Sequence, residues 1–247
     1  MTARQKTILI SGAMGGVGRA ITTLFLKHGY SIVLLYRNAT EIELTRKHKQ
    51  LGEKAFFVQC DVSDIRQVQS ALTQVLRHTQ TIDMCVHAAA GKITRKRLAH
   101  MTEEEFRSEF EAGVFGAFNL FSSVVPLMQK NGKGMLIGIT STVVGSGGGA
   151  QMGAYTTAKY ALRGLLREFD RELRAEGIGV YAVAPDLLKT KLTADLPDKY
   201  FEFAVKQAHR KKLSTPLDVA KAVLRIAQGK VRPGSSFLVS SGEVSQL

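Results

Sequence analysis

The amino-acid sequence predicts an α/β fold, a single doubly wound parallel sheet of about seven strands with helices on both faces. First, short apolar runs alternate with segments of helical spacing along the whole chain. Second, the opening run Thr7-Ile-Leu-Ile10 leads through a glycine-rich turn into the helical pattern Arg19-Ala-Ile-Thr-Thr-Leu-Phe-Leu-Lys27. Third, 247 residues at 45% hydrophobic are enough to bury one large core. No repeat, linker or second domain divides residues 1–247.

The elements follow in order. The first apolar run gives a strand near 7–11, and the glycines open a helix near 16–28. Ile32-Val-Leu-Leu-Tyr36 gives a strand near 31–36, followed by a helix near 40–51. Phe56-Phe-Val-Gln-Cys60 gives a strand near 54–60, then a helix near 64–78 and a strand near 83–87. Thr102-Glu-Glu-Glu105 is a capping box that opens a long helix near 102–129. A strand near 134–140, a helix near 154–176 and a strand near 179–184 come next. Thr215-Pro216 is a cap followed by proline at the first helical position, opening a helix near 216–228 before the last strand near 236–239. Asp186 to Ser214 has no companion strand, and a mobile substrate lid is expected near 186–214.

Tyr155 and Lys159 stand four residues apart in the helix near 154–176, so they share one face. A free phenol titrates near pKa ~10, and a lysine cation held beside it favours the phenolate and lowers that value. Far upstream, Ser11-Gly-Ala-Met-Gly-Gly-Val-Gly18 joins strand to helix. Small residues let the backbone approach a pyrophosphate, and the helix N-terminus presents free N–H groups to it. Strand, glycine turn and helix together read as a dinucleotide site. An acid at the end of the second strand would bind a ribose 2′-hydroxyl and repel a 2′-phosphate. Tyr36 and Arg37 stand there instead, and a guanidinium fits a phosphate with paired hydrogen bonds. NADP is the expected cofactor.

These segments resemble the short-chain dehydrogenase/reductase family nearly end to end. Its glycine motif TGxxxGxG is matched by Ser11, Gly12, Gly16 and Gly18, with serine in place of threonine and Val17 within it. Asp61-Val62 resembles the pair that contacts adenine, and Ile82-Asp-Met-Cys-Val-His-Ala-Ala-Ala-Gly91 resembles the IDxLVNNAG strand and turn, with Ala88 beside the cofactor. Tyr155 and Lys159 match YxxxK, and Ala182-Val-Ala-Pro185 matches the segment bordering the nicotinamide. The resemblance, to the 3-oxoacyl-carrier-protein reductase branch, implies a Rossmann-type sheet and NADPH-dependent reduction of a ketone, such as a 3-oxoacyl thioester, to a secondary alcohol. It implies that Tyr155 supplies the proton, that Thr142 orients the carbonyl oxygen, and that Lys159 binds the nicotinamide ribose and lowers the tyrosine pKa. It also implies a homotetramer or dimer packed through the helices near 102–129 and 154–176 and the last strand. Tyr160, Leu162, Leu165, Leu166, Phe169 and Leu173 exceed one core-facing stripe, as an interface requires.

The chain departs from the family pattern at several places. Thr142 stands where a serine usually precedes the tyrosine by thirteen residues, with Ser141 beside it as the alternative hydroxyl. Gly113 replaces a helix asparagine that helps hold a water near the lysine. His87 and Ala88 replace two asparagines, and His87 reads as a packed strand-end residue rather than a proton donor. Pro185 is followed by Asp186 instead of glycine, a carboxylate for which the sequence offers no account.

The formal charge is +13, from 34 basic and 21 acidic residues. Such a balance attracts phosphate backbones, but no zinc-finger or RNP-type motif accompanies it, so no nucleic-acid partner is expected. The excess concentrates in Lys92, Arg95, Lys96 and Arg97 and in Asp186–Leu213, with seven basic and four acidic residues ending in Arg210-Lys-Lys212. Both segments leave carboxyl ends of strands, which suits a funnel for an anionic, carrier-bound or small-molecule acyl substrate. The six histidines show no paired ligand spacing, so no metal is expected. Cys60 and Cys85 read as buried thiols in a reducing compartment. No signal peptide fits and no apolar stretch approaches the roughly 20 residues of a membrane span; a soluble cytoplasmic protein is expected. Two rival readings remain, a cofactor-binding protein with little or no catalysis, motivated by Gly113 and Thr142, and a nucleic-acid-binding protein on a dinucleotide fold, motivated by charge alone.

Overall fold

The apolar runs pair into one sheet. In the computed structural model, which describes residues 4–38, 51–52, 54–207, 212–240 and 243–246, β1 (Thr7–Ser11) lies between β2 (Ser31–Tyr36) and β4 (Met84–His87). β3 (Ala55–Gln59) flanks β2, while β5 (Gly134–Ile139), β6 (Ile178–Pro185) and β7 (Ser236–Ser240) continue the sheet beyond β4, all in parallel register. Every residue of β1 is buried, as both faces of a central parallel strand must be. An eighth strand, β8 (Glu243–Gln246), pairs antiparallel with β7. Glu243-Val-Ser-Gln246 contains a single apolar residue, so no periodicity announces it.

Helices cover both faces. α1 (Gly16–Lys27) and α8 (Pro216–Ala227) pack together on one side, where Ile21, Phe25, Val219 and Val223 meet Ile8 and Ile10. α2 (Ile65–His78), α4 (Gly116–Lys130) and α6 (Gly153–Leu173) cover the other, with Val68, Leu120, Phe121 and Leu166 against Leu9. The caps form as the sequence indicates. Thr102 Oγ1 accepts the Glu105 N–H at 3.2 Å while Glu105 accepts the Thr102 N–H at 2.7 Å, and Thr215 closes a capping box with Asp218. The helix expected near 40–51 falls, but for Leu51, outside the described residues, as do Arg210 and Lys211.

Three expectations need correction. The helix near 102–129 is α3 (Glu103–Phe110), a π-helical turn at Glu111–Phe115, and α4. With the turn included, Glu103–Lys130 is long and apolar enough to cross a membrane by length and composition, contrary to the count made from apolar runs. Its face of Ala117, Leu120, Phe121, Val124 and Met128 is instead spent on the core. In α6, Leu162, Leu165, Leu166, Phe169 and Leu173 all pack on the core of their own subunit, so the helix has one wide core face rather than a spare stripe. The apolar side chains left exposed nearby are Tyr160, Phe115 and Phe118. Finally, the described residues of the segment 186–214 are partly regular. It holds a 3-10 turn at Lys191–Thr193, α7 (Asp198–Gln207) and a parallel bridge between Leu188 and Ser214.

Candidate active site

The carboxyl ends of the central strands open into a cavity of about 840 Å³. At one end its wall is backbone. Gly12 has φ +66°, and a Cβ there would lie 2.5 Å from the Ala89 nitrogen and 2.6 Å from the Ala88 carbonyl carbon, so only glycine fits. A Cβ on Gly18 would lie 2.6 Å from Ala13 Cα and overlap the Gly12 carbonyl, which brings α1 tight against β1. A Cβ on Gly16 would lie 2.9 Å from Thr190 Cγ2. The N-cap of α1 is Gly15, which offers no side-chain cap, its first turn holds no acid, and Gly16, Val17 and Gly18 line the cavity. The N–H groups of that first turn have no intrahelical partner and suit a phosphate.

Arg37 marks the far corner, two-thirds exposed, with its guanidinium 3.8 Å from Asp61. The other Asp61 oxygen is engaged by Ser63, accepting its N–H at 3.0 Å and its hydroxyl at 2.7 Å. Asn119 of α4 donates to the Val62 carbonyl at 3.1 Å and the Ser63 carbonyl at 3.0 Å, which fixes the turn after β3. Asp61, Val62, Ala88 and Pro185 all line the cavity. Ser11 does not. It is buried behind Gly12, and its hydroxyl meets His87 Nδ1 at 2.9 Å. Burial, assisted by the charge of Lys159, pushes the His87 pKa down to about 3, so the ring is neutral and braces the ends of β1 and β4. This glycine cradle, the uncapped helix and the cation at Arg37 fit a nicotinamide dinucleotide.

At the other end the wall is side chains. Tyr155 and Lys159 project from α6 into the cavity, opposite the residues that follow β5. The Ser141 hydroxyl hydrogen-bonds the Tyr155 phenol. Thr142, next along the wall, starts the short helix α5 (Val143–Ser146) and donates its N–H to the Pro185 carbonyl at 3.0 Å. Lys159 is buried, its ammonium 2.9 Å from the Ile139 carbonyl and 5.7 Å from the centre of the Tyr155 ring. The expected depression of the tyrosine pKa does not hold. Burial, the largest effect, raises the Tyr155 pKa, and Glu109 adds to it against the Ser141 hydrogen bond and Arg95. Lys159 lies over the ring with its proton on a carbonyl, and burial lowers its own pKa to about 8. At neutral pH the phenol therefore keeps its proton and is an acid able to give it up.

Two features escaped the sequence. Glu109, in the last turn of α3, is 4% exposed and accepts the Thr94 N–H at 2.6 Å. It precedes Gly113 by four residues, a spacing that puts both on one helix face and was the available signal. Gly113 itself sits in the π-helical turn, a local unwinding that recurs at functional sites. The basic funnel is narrower than expected. Lys92, Arg95 and Lys191 line the cavity, but Arg95 pairs with Asp195 at 2.9 Å and Lys96 with Glu105 at 2.8 Å. Asp186, buried, also lines it. Both thiols are buried and free, and burial raises the Cys60 pKa to about 12.

Similarity to known proteins agrees with this arrangement. The chain is 28% identical over 242 residues to 3-oxoacyl-(acyl-carrier-protein) reductase of Staphylococcus aureus strain Mu50, covering 96% of this chain and 97% of the relative. It is 30% identical over 229 residues to the reductase of the same name from Thermotoga maritima, covering 92% of each. The fold superposes with a TM-score of 0.87 on a 3-ketoacyl-(acyl-carrier-protein) reductase from Brucella melitensis complexed with NADH, at 23% identity over 96% of this chain and 97% of that one. Residues 6–200 match the short chain dehydrogenase family model. The protein thus belongs to the short-chain dehydrogenase family of oxidoreductases.

Proposed function

We propose that the protein is an NADPH-dependent reductase that converts a ketone, of the 3-oxoacyl thioester class, to a secondary alcohol. The observation that carries this reading is the single cavity that joins the glycine cradle and Arg37 at one end to a protonated Tyr155 at the other. A bound NADPH supplies the hydride. The glycine turn and the uncapped α1 N-terminus hold the pyrophosphate, and Arg37 leaves Asp61 to bind the 2′-phosphate. Tyr155, which keeps its proton at neutral pH, gives it to the oxygen of the carbonyl as the hydride arrives. Ser141, bonded to that phenol, and Thr142 beside it supply the hydroxyls that orient the carbonyl. Lys159 holds the nicotinamide ribose and restores the tyrosine proton.

The class of substrate is supported by the reductases that the chain resembles and by Lys92, Arg95 and Lys191 at the cavity. The described part of residues 186–214 forms the lid, since Leu188, Thr190, Leu196 and Tyr200 line the cavity from it. The working form is a homo-oligomer, dimer or tetramer, with the exposed Phe115, Phe118 and Tyr160 at its interface, in a reducing, cytoplasmic setting suited to the two free thiols. NADPH oxidation followed at 340 nm with an acetoacetyl thioester tests the activity. Turnover that prefers NADPH is expected. Tight NADPH binding with no oxidation across a panel of ketones would favour the rival in which the chain binds cofactor without catalysis.

A further inference from the structure

Glu109 is a buried carboxylate with no part in the steps above. It lies where α3 meets the loop after β4. That loop is pressed close, since a Cβ on Gly91 would lie 3.0 Å from the Ser108 carbonyl oxygen. One Glu109 oxygen is fixed by the Thr94 N–H at 2.6 Å. Burial raises the Glu109 pKa, and the Thr94 N–H and two cations, Lys159 from α6 and Arg95 from the loop, work against that rise and favour the carboxylate. On the same face, one turn on, Gly113 is buried, and a Cβ there would meet nothing within 4 Å. The π-helical turn thus leaves open space one helical turn after a buried carboxylate, on an element packed against α6, which carries the buried Lys159; such a setting has room for water. Lys159 carries three N–H donors, and the bond to the Ile139 carbonyl at 2.9 Å satisfies one of them.

We propose that Glu109 is a positioning residue, the counter-charge that keeps Lys159 an ammonium across the space opened at Gly113 and so sustains proton supply to Tyr155. The role rests on the reductase reading above. It gives the missing family asparagine a physical replacement, a carboxylate one helical turn earlier. The groups facing the pair are Arg95 from the loop, whose other partner is Asp195, Tyr155 on the same helix as Lys159, the neutral His87 from β4 and the Ile139 carbonyl from β5. Burial lowers the Lys159 pKa to about 8 and Glu109 works against that fall. Removing its charge therefore takes the lysine pKa lower still, and the ammonium is lost at a lower pH.

Glu109→Gln tests this in the full chain, because an amide oxygen still accepts the Thr94 N–H while the charge is gone. The direct readout is the titration of Lys159 by NMR of lysine labelled with carbon-13 at Cε, assigned with Lys159→Arg. Its midpoint is expected to fall by about 1 pH unit, the alkaline limb of kcat/KM to move with it, and Glu109→Asp to restore most of both. Should Glu109→Gln not fold, the reciprocal measurement decides. Lys159→Met is then expected to raise the midpoint of the Glu109 carboxyl. A lysine midpoint unmoved in Glu109→Gln, or a carboxyl midpoint unmoved in Lys159→Met, overturns the role. Wild-type protein that shows the coupled titrations but oxidises no NADPH would overturn the reductase reading and leave the coupling of Glu109 to Lys159 standing.

Discussion

The two ends of the cavity are built on different principles. Around Gly12, Gly16 and Gly18 the wall is main chain, and its shape follows from what a Cβ would strike. Around Tyr155 and Lys159 the wall is side chains, and its chemistry follows from burial and from charges on other elements, Glu109 and Arg95 foremost. A backbone site is determined locally, by a few residues in one turn. An electrostatic site is determined by packing that brings α3, α6 and the loop after β4 together. The same substitution size therefore has different consequences at the two ends: shape and stability at the first, protonation and rate at the second.

The largest effect is expected at the reaction end. Tyr155→Phe removes the acid and keeps the ring, so turnover should fall by about 10²–10⁴-fold while NADPH affinity, measured by its fluorescence, stays near the wild-type value. A loss of affinity as large as the loss of rate would mean the two ends are not separable. At the cradle, Gly12→Ala forces a side chain into a left-handed conformation against the backbone of Ala88 and Ala89. A destabilisation of about 3 kcal/mol is expected in urea unfolding, and unchanged stability would show that the turn can relax.

How far the sequence reveals each end follows from the same contrast. Seven strands, most of the flanking helices among the described residues and the caps at Thr102 and Thr215 were legible because periodicity and capping are local signals. The glycine turn, Arg37 and the Tyr155–Lys159 pair were singled out by local motifs too, and the fold brings them to one cavity. β8 was not, for want of an apolar run, and neither was the π-helical turn, whose extra residue leaves no mark in a helical pattern. The raised phenol was misjudged for a different reason. Spacing on a helix places Lys159 near Tyr155 but says nothing of the Ile139 carbonyl that accepts its hydrogen bond or of the burial that raises the phenol pKa. Ser11 likewise matched a motif, yet in the fold its hydroxyl is turned to His87 rather than to the cavity.

Smaller effects sharpen the boundary between the ends. Arg37→Ala should weaken NADPH by about 1.5–3 kcal/mol, the scale of a hydrogen bond to a charged group, and leave NADH unchanged. Equal losses for both cofactors would remove Arg37 from the 2′-phosphate. Between the two hydroxyls, Ser141→Ala is expected to slow turnover by about tenfold and Thr142→Val by less, because Ser141 is the one bonded to the phenol. The reverse ranking would return the orienting role to Thr142. Stability against pH should carry the smallest signal. The Lys159 pKa is about 8 in the fold against 10.5 for a free lysine, so its burial cost is present in full below about pH 8 and is relieved as pH rises toward 10.5. Over that window the wild type should gain stability relative to Lys159→Met, and a flat difference would contradict the burial of its charge.

The central claim is that one cavity delivers a hydride and a proton to the same carbonyl. It is tested most directly by incubating the protein with NADPH dideuterated at C4 and a 3-oxoacyl thioester and weighing the product by mass spectrometry. The account predicts a 3-hydroxyacyl product heavier by one deuterium, formed by the wild type and about 10²–10⁴-fold more slowly by Tyr155→Phe. An unlabelled product, or labelled product formed at equal rates by both proteins, would contradict it.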